Sequence, residues 1–291
     1  MMRGRDWFVK GHGLGNDYLV VDPRALSFSL TPRAVRAICE RHTGVGADGI
    51  LVLAPSRRAA FGVRIFNPDG SEAEKSGNGL RILSRFLYDH GYTRRRTFTI
   101  ETPGGVARVT LRLRAGQVDA ITVDVGRASF QSTAVPVAGP PREVVDEPLE
   151  VDGESLRVTA VSLGNPHCVV FLERLEAARL HHLGPRLETH PAFPQRTNVQ
   201  LARVAARGRL DILVWERGAG ETQASGTSAA AAAAAAVRLG RAGRRLSVAM
   251  PGGTLAVRVK PDWTVHLTGP AEEVCVGAFA GGLLRRLRRA R

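Results

Sequence analysis

Two helical patterns dominate the distribution of apolar residues along the chain. The first consists of four apolar residues at the spacing of one helix face, Leu80, Leu83, Phe86 and Leu87. The second is an unbroken run of alanines from Ala229 to Ala236, and alanine has the highest intrinsic helix propensity. The chain is predicted to form one dominant helix in each half. We expect the slim alanine helix to be packed on all sides inside a curved sheet.

Alternating apolar and polar residues follow each helical pattern. A period of two is typical of strands with one buried face. The predicted strands are residues 97–101, 106–114 and 120–125 after the first helix, and 246–250, 254–259 and 263–267 after the second. This order of elements indicates an α/β fold of the α+β kind.

An internal repeat relates the two halves. Residues 14–21 match residues 163–170 at an offset of 149 residues. The same offset carries Asn67 onto Glu216 and Ser76 onto Ser225. Several matches in one order indicate a duplicated unit. In each copy we expect a strand that ends at a Gly-Asn pair, further strands, a glycine-rich loop, the helix and a β-rich tail.

The duplication predicts two domains, which suits a length of 291 residues. We assign residues 1–126 with 271–291 to the N-terminal domain and residues 127–270 to the C-terminal domain, with the last residues packing back on the first domain. The segment 135–150 contains four prolines, so it is predicted to be a linker and an exposed loop.

The composition limits the classes of partner. A net charge of +14 is compatible with nucleic acid, and the tail holds the densest positive patch, Arg285, Arg286, Arg288, Arg289 and Arg291. However, aromatic residues make up only 5% of the chain and no interleaved stacking motif is present. We therefore expect a small amino acid as the partner, with no nucleic acid and no membrane. A binding protein that uses the arginine tail is the competing class.

Neither a signal sequence nor a membrane span is indicated, so the protein is expected to be cytoplasmic. A homodimer is left open. The three cysteines, Cys39, Cys168 and Cys275, have no metal-like spacing, and they are predicted to be buried apolar side chains.

The two loop-to-helix junctions are the main candidates for chemistry. Ser76-Gly77-Asn78-Gly79 and Ser225-Gly226-Thr227 each place a small polar residue and a glycine ahead of a helix. Backbone N–H groups and the helix dipole there favour an anion, although a plain N-cap would have the same residues. In a duplicated chain, both junctions are expected to face one cleft. Ser76 and Ser225 would then stand where a pair of proton-transferring groups is needed.

Other polar residues lie at related strand ends and could hold the ammonium and carboxylate groups of an amino acid. They are Asn16, Asn67, Asn165, Asn198, Glu216 and Arg217. A lone asparagine is also a common turn residue. His167 is a candidate hydrogen-bonding partner or general base near the reacting carbon, and equally a structural histidine.

These motifs resemble those of the diaminopimelate epimerases, within the proline racemase-like superfamily, over nearly the whole chain. The matching segments include residues 12–17, 46–49, 66–72, 77–79, 101–102, 163–167, 196–198, 216–222 and 225–227. The resemblance implies two pseudosymmetric domains, each a barrel-like, mostly antiparallel sheet around a central helix. It also implies a cofactor-free inversion of one α-carbon of diaminopimelate, independent of pyridoxal phosphate, for lysine and cell-wall synthesis. Substrate binding is implied for Asn16, Asn67, Gly77, Asn78, Asn165, Asn198, Glu216, Arg217, Gly226 and Thr227.

The chain departs from the family at the two reacting positions. The family has cysteine where Ser76 and Ser225 stand. A helix N-terminus can hold a thiol as thiolate near neutral pH, whereas a serine hydroxyl needs an adjacent base, for which His167 and Glu216 are the candidates. Three explanations stay open: engineered serines that trap an inactive enzyme, a native paralogue that binds amino acids or runs another proton reaction, or slow turnover.

Overall fold

A computed structural model describes residues 4–288, and the chain divides into two compact units. Unit 1 holds the residues up to Val123 and those from Pro270 onwards, and unit 2 holds Asp124–Gly269. No helix within residues 4–288 is long and apolar enough to cross a membrane.

The elements follow one another in the same order in both halves of the chain. The strands are β1 (Trp7–Gly13), β2 (Asn16–Val21), β3 (Ile50–Ala54), β4 (Phe61–Phe66), β5 (Glu72–Ala73), β6 (Thr97–Thr102), β7 (Gly105–Arg114), β8 (Gln117–Arg127), β9 (Glu147–Val151), β10 (Glu154–Ser162), β11 (Pro166–Phe171), β12 (Asn198–Ala206), β13 (Arg209–Glu216), β14 (Gly220–Thr222), β15 (Arg245–Met250), β16 (Gly253–Val259), β17 (Thr264–Gly269) and β18 (Glu272–Ala278). The helices are α1 (Pro32–Cys39), α2 (Gly77–Asp89), α3 (Ala177–Glu188), α4 (Gly226–Arg238) and α5 (Gly281–Arg288), with a 3-10 turn at Pro23–Ala25. The helices and strands predicted from periodicity are present, with bounds shifted by a few residues.

Strand pairing repeats between the units and is mostly antiparallel. In unit 1 the parallel pairs are β2–β3 and β4–β6, and in unit 2 they are the corresponding pairs β11–β12 and β13–β15. The neighbouring pairs β1–β2 and β10–β11 are both antiparallel. Equal pairing in two segments of one chain is what a duplicated unit produces.

The central helix of each unit is enclosed by its sheet. In α4 every alanine from Ala229 to Ala236 is fully buried, and the helix contacts strands β10–β13 and β15–β17. Methyl side chains let the strands of unit 2 approach α4 closely on all sides, so the alanine run suits the dense packing around this helix. The expectation of a core helix is confirmed.

The linker predicted at 135–150 is wrong, whereas the exposed loop predicted there is present at residues 138–141. The chain enters unit 2 at Asp124, and Val135 and Val144 are each 1% exposed within the core of that unit. Residues from Glu147 form β9, which pairs with β10. Prolines interrupt the regular structure here, but burial of Val135 and Val144 supplies enough apolar area to fix the segment.

The Gly-Asn pairs lie at the starts of strands instead of their ends: β2 starts at Asn16, and β11 starts at Pro166, directly after Asn165. Leu14 and Gly15 both have positive φ, 60° and 89°, the geometry of a tight hairpin turn that matches strand twist. The strand β2 then starts at Asn16, directly after this turn. Glycine and asparagine are both typical turn residues, but the prediction assigned the pair to the end of the strand before the turn instead of the start of the strand after it.

The C-terminal segment packs on unit 1. Strand β18 pairs with β1, and Arg286 and Arg288 of α5 donate to Thr43 O at 2.6 Å and Ser27 Oγ at 2.7 Å. These tail arginines therefore attach α5 to its own unit. Arg289 and Arg291 lie outside the described residues.

The cysteine prediction holds for two residues and fails for one. Cys39 and Cys168 are buried, and burial raises the pKa of each thiol to about 12. Cys275, on β18, is exposed.

Candidate functional site

The start of α2 in unit 1 carries Ser76. Its backbone is extended, and its Oγ accepts a hydrogen bond from the N–H of Gly79 at 3.0 Å. A Cβ at Gly79 would lie 2.9 Å from Leu51 and 3.2 Å from the Ser76 side chain, so glycine is needed there for the turn to close on the serine. The hydroxyl is held at the positive end of the helix dipole.

A directional chain of side chains connects this helix to the hairpin turn. Asp48 Oδ2 accepts from Asn16 Nδ2 at 2.9 Å, Asn16 Oδ1 accepts from Asn78 Nδ2 at 3.0 Å, and Asn78 Oδ1 accepts from Arg81 at 2.8 Å. A carboxylate can only accept and a guanidinium can only donate, so the two ends fix the orientation of both amides. Asn16 and Asn78, which the sequence placed at separate positions, are brought together.

Arg81 is a residue that the sequence reasoning missed. Its side chain is fully buried, and burial lowers its pKa to about 10. Besides Asn78 it donates to Pro270 O at 3.0 Å and Gly77 O at 3.2 Å. The available signal was a charged residue between Leu80 and Leu83, on the helix that the apolar pattern places in the core.

Asn67 is fixed by its own turn after β4. Its N–H donates to Ser71 O at 2.9 Å and its Nδ2 to Ser71 Oγ at 2.9 Å. The turn passes through Gly70 at φ +86, where a Cβ would meet Pro32 at about 2.8 Å. The sequence left two roles open for Asn67, substrate binding and a structural role in a turn. These hydrogen bonds show the turn role.

The start of α4 in unit 2 carries Ser225 in the same local geometry. Its Oγ accepts from the N–H of Ser228 at 3.5 Å, and the residue is 3% exposed. Its own N–H is directed at Met250 Sδ at 3.4 Å. The first residues of this helix, Gly226 and Thr227, correspond to Gly77 and Asn78 of α2 at the offset of 149.

A second network holds Asn165 and includes His167. Gln200 Nε2 lies 3.1 Å from His167 Nδ1 and 3.0 Å from Ser228 Oγ. With Nδ1 accepting, His167 Nε2–H donates to Asn165 Oδ1 at 3.0 Å, which leaves Asn165 Nδ2 to donate to Thr227 Oγ1 at 3.4 Å.

His167 therefore orients Asn165. It is fully buried, both ring nitrogens are engaged, and burial lowers its pKa to about 3. In this geometry the ring is neutral and does not face solvent, which is the structural alternative that the sequence left open. Gln200 and Ser228 were missed, since nothing in the local sequence marks them as neighbours of His167.

Asn198 and Arg217 meet at the edge of β12. Asn198 Nδ2 donates to Pro166 O at 2.8 Å, and its Oδ1 accepts the N–H of Arg217 at 3.0 Å. The Arg217 guanidinium donates to Gln195 O at 3.4 Å. Glu216 is the last residue of β13 and is partly exposed. The structure thus brings Asn198, Glu216 and Arg217 into one local cluster in unit 2.

Comparison with known proteins places this arrangement in a family. The family model described as diaminopimelate epimerase matches residues 8–131 and 159–274. The chain belongs to the diaminopimelate epimerase family. The match includes both helix junctions and all the clusters described above.

Curated members of the diaminopimelate epimerase family align with almost the full chain. The diaminopimelate epimerase of Pelotomaculum thermopropionicum is 44% identical over 274 residues, which cover 94% of this chain and 98% of the relative. Diaminopimelate epimerase 2 of Nostoc sp. is 46% identical over 275 residues, covering 94% and 95%.

A solved structure supports the fold. A hydroxyproline epimerase from Agrobacterium vitis aligns with a TM-score of 0.73 at 15% identity, covering 94% of this chain and 91% of that protein. At this identity the likeness shows the shared architecture alone. It confirms the epimerase-like fold that the motifs implied.

Proposed function

We propose that the protein is a cofactor-independent epimerase that interconverts L,L- and meso-diaminopimelate by proton transfer at the α-carbon. The proposal rests on family membership over most of the chain. The observation that carries it is the equivalent placement of Ser76 and Ser225, each the N-cap of the central helix of its unit.

The helix starts would supply the electrostatic part of the reaction. Removal of an α-proton increases negative charge on the adjacent carboxylate, and N–H groups at a helix start stabilise that charge without reorganisation. Gly77, Asn78, Gly226 and Thr227 occupy the first turns of the two helices. In the proposal, backbone groups of these residues bind substrate oxygen atoms.

The remaining polar groups would recognise the amino acid. Arg217 is suited to a carboxylate, because guanidinium binds it with paired hydrogen bonds. Glu216 is suited to an ammonium group. The amides of Asn16, Asn67, Asn165 and Asn198 offer both donors and acceptors, and each of them is held by a hydrogen bond to a neighbouring group.

The serines define a second candidate function, the binding of an amino acid without efficient epimerisation. Within the described residues, the hydroxyls of Ser76 and Ser225 are each engaged with a backbone N–H of the first helical turn, and no carboxylate or imidazole is hydrogen-bonded to either. Without such a base, a serine hydroxyl is a weak proton acceptor at neutral pH. We therefore expect slow turnover in this chain.

Incubation with L,L-diaminopimelate in heavy water tests the proposal. We expect deuterium at the α-carbon, measured by mass spectrometry, and saturable binding measured by calorimetry. Binding without deuterium would replace the epimerase proposal with the second candidate. Absence of both binding and deuterium would contradict the two functions together.

A further inference from the structure

The carboxylate of Glu188 contacts both residues that flank the pair Glu216–Arg217. Its Oε2 accepts the indole N–H of Trp215 at 2.8 Å, and its Oε1 accepts the backbone N–H of Gly218 at 2.9 Å. One side chain thus holds both the end of β13 and the start of the following loop. The two residues between these contacts are the proposed substrate-binding pair.

Glu188 also contacts the loop before β12, through its carboxylate and through its backbone carbonyl oxygen. Arg196 Nη1 lies 3.6 Å from Glu188 Oε1, and the N–H of Thr197 donates to Glu188 O at 3.2 Å. Asn198 follows directly and accepts from the N–H of Arg217. Glu188 therefore fixes the loops before β12 and after β13 relative to each other.

The position of Glu188 is unfavourable for its own helix. It is the last residue of α3 and only 7% exposed. A negative charge near the C-terminal end of a helix faces the negative end of the dipole, and burial of a carboxylate is costly unless donors compensate it. The donors from Trp215 and Gly218 supply that compensation. The presence of a glutamate at this position is therefore explained by its contacts with the loop and not by any stabilisation of α3.

The rest of α3 supports the same contact. Gly184 lies one turn before Glu188, and a Cβ there would be 2.7 Å from the Trp215 ring. His181, a further turn away, lies 2.7 Å from Glu221 of β14. One face of α3 thus packs on the β13–β14 hairpin at three points, and Glu188 is the point nearest the Glu216–Arg217 pair.

The internal repeat provides a comparison within one chain. At the offset of 149, Glu188 corresponds to Cys39 and Trp215 to Phe66. Cys39 and Phe66 both belong to an apolar core cluster of unit 1. The equivalent turn in unit 1 is held in another way, by the Asp69 side chain accepting from the N–H of Ser71 at 2.8 Å. The buried carboxylate therefore occurs in the unit that carries Glu216 and Arg217.

We infer that Glu188 is a positioning residue that holds the Glu216–Arg217 loop in the conformation that binds the carboxylate and ammonium groups of the substrate. This inference rests on the proposed function for the identity of the ligand. Its structural half, the ordering of the loop by the carboxylate, is independent of any ligand. The two halves can therefore be measured separately.

The test compares Glu188→Gln with the intact protein in two measurements. An amide has one oxygen to accept and an NH₂ group that faces the other donor, so one of the two loop contacts is lost. In the absence of ligand, hydrogen exchange of the amides at 216–220 should accelerate on the order of tenfold, because protection follows the local opening equilibrium. The affinity for L,L-diaminopimelate, measured by calorimetry, should fall about tenfold, which is a change of ~1.4 kcal/mol.

Matched variants separate positioning from general damage. Glu176→Gln removes the same charge at the other end of α3, where the side chain makes no capping hydrogen bond, and should leave both measurements unchanged. Glu188→Asp keeps the charge and should recover part of the affinity. Where turnover is measurable, KM should rise in Glu188→Gln while kcat changes by less than about threefold, since uniform binding is lost.

Two results would overturn the inference. Unchanged exchange at 216–220 in folded Glu188→Gln would show that the carboxylate does not hold the loop. Faster exchange with unchanged affinity would show that the loop conformation does not control binding. Failure of the intact protein to bind diaminopimelate would instead contradict the proposed function, while the exchange result would still decide the role of Glu188 in the loop.

Discussion

Asn78 donates a hydrogen bond to Asn16 at 3.0 Å, and the residues that correspond to them at the offset of 149, Thr227 and Asn165, are also joined, at 3.4 Å. In both units the first turn of the central helix is therefore tied to the residue that follows a hairpin turn. The supporting groups differ, with Asp48 behind Asn16 and His167 behind Asn165. The contact between the helix start and this residue is thus common to both units, whereas the side chains that orient Asn16 and Asn165 differ.

Replacement of both serines by cysteine is expected to increase proton exchange. In Ser76→Cys with Ser225→Cys, the helix start lowers the thiol pKa and supplies the thiolate that a hydroxyl cannot. General acid–base catalysis contributes about 10²-fold or more, so deuterium incorporation into diaminopimelate should rise by that order. The single variants should remain slow, because each lacks one of the two groups.

An unchanged rate in the folded double variant would show that the chain has diverged to another substrate. Thermal unfolding should accompany the assay, since loss of each serine cap costs about 1 kcal/mol.

Loss of the Arg81 guanidinium is expected to destabilise unit 1. In Arg81→Met the hydrogen bonds from the guanidinium to Asn78, Gly77 and Pro270 are lost, and a typical intramolecular hydrogen bond contributes about 0.5–1.5 kcal/mol net to stability. We expect the free energy of unfolding in urea to fall by roughly 2–4 kcal/mol. Arg108→Met, at an exposed position on β7, should change it by less than about 0.5 kcal/mol. Equal effects of the two variants would contradict the role of the buried network.

Enlargement of the alanine helix is expected to be destabilising at its centre. Ala232 is fully buried, so Ala232→Leu introduces carbon atoms for which no space exists and should cost about 1–3 kcal/mol or more in urea unfolding. Val237→Leu, near the partly exposed end of α4, is the control and should be close to neutral. A stable Ala232→Leu protein would show that the sheet can expand around the helix.

Acid should destabilise the protein through His167. Its folded pKa is about 3, below the ordinary 6.5, because of burial. The unfolded state therefore binds a proton that the folded state does not, and stability is full above pH 6.5 and is lost as pH falls from 6.5 towards 3. Between pH 7.5 and pH 5 this single group should remove about 2 kcal/mol of the free energy of unfolding.

Urea unfolding at the two pH values measures this effect. In His167→Gln the difference between pH 7.5 and pH 5 should shrink by that amount, since glutamine does not titrate. The same pH difference in both proteins would contradict the assignment of a neutral buried ring.

Local sequence determined the two central helices, the strands that follow each of them and the duplication, because periodicity, propensity and repeat spacing depend on residues close in the chain. The Ser76 and Ser225 caps were visible for the same reason. Family motifs also identified Asn16, Asn78, Asn165, Asn198, Glu216 and Arg217 as a set whose roles in binding remain predictions.

Only the tertiary structure decided which polar side chains support that set. Arg81, Gln200 and Glu188 are charged or polar residues that a sequence pattern assigns to a solvated face, whereas sheet pairing buries them beside donors and acceptors far away in the chain. Tertiary packing also decided the position of Val135 and Val144. Both are buried in the core of unit 2, although the prolines near them predict an exposed segment. Burial and hydrogen-bond partners depend on long-range packing, which has no local signature in the chain.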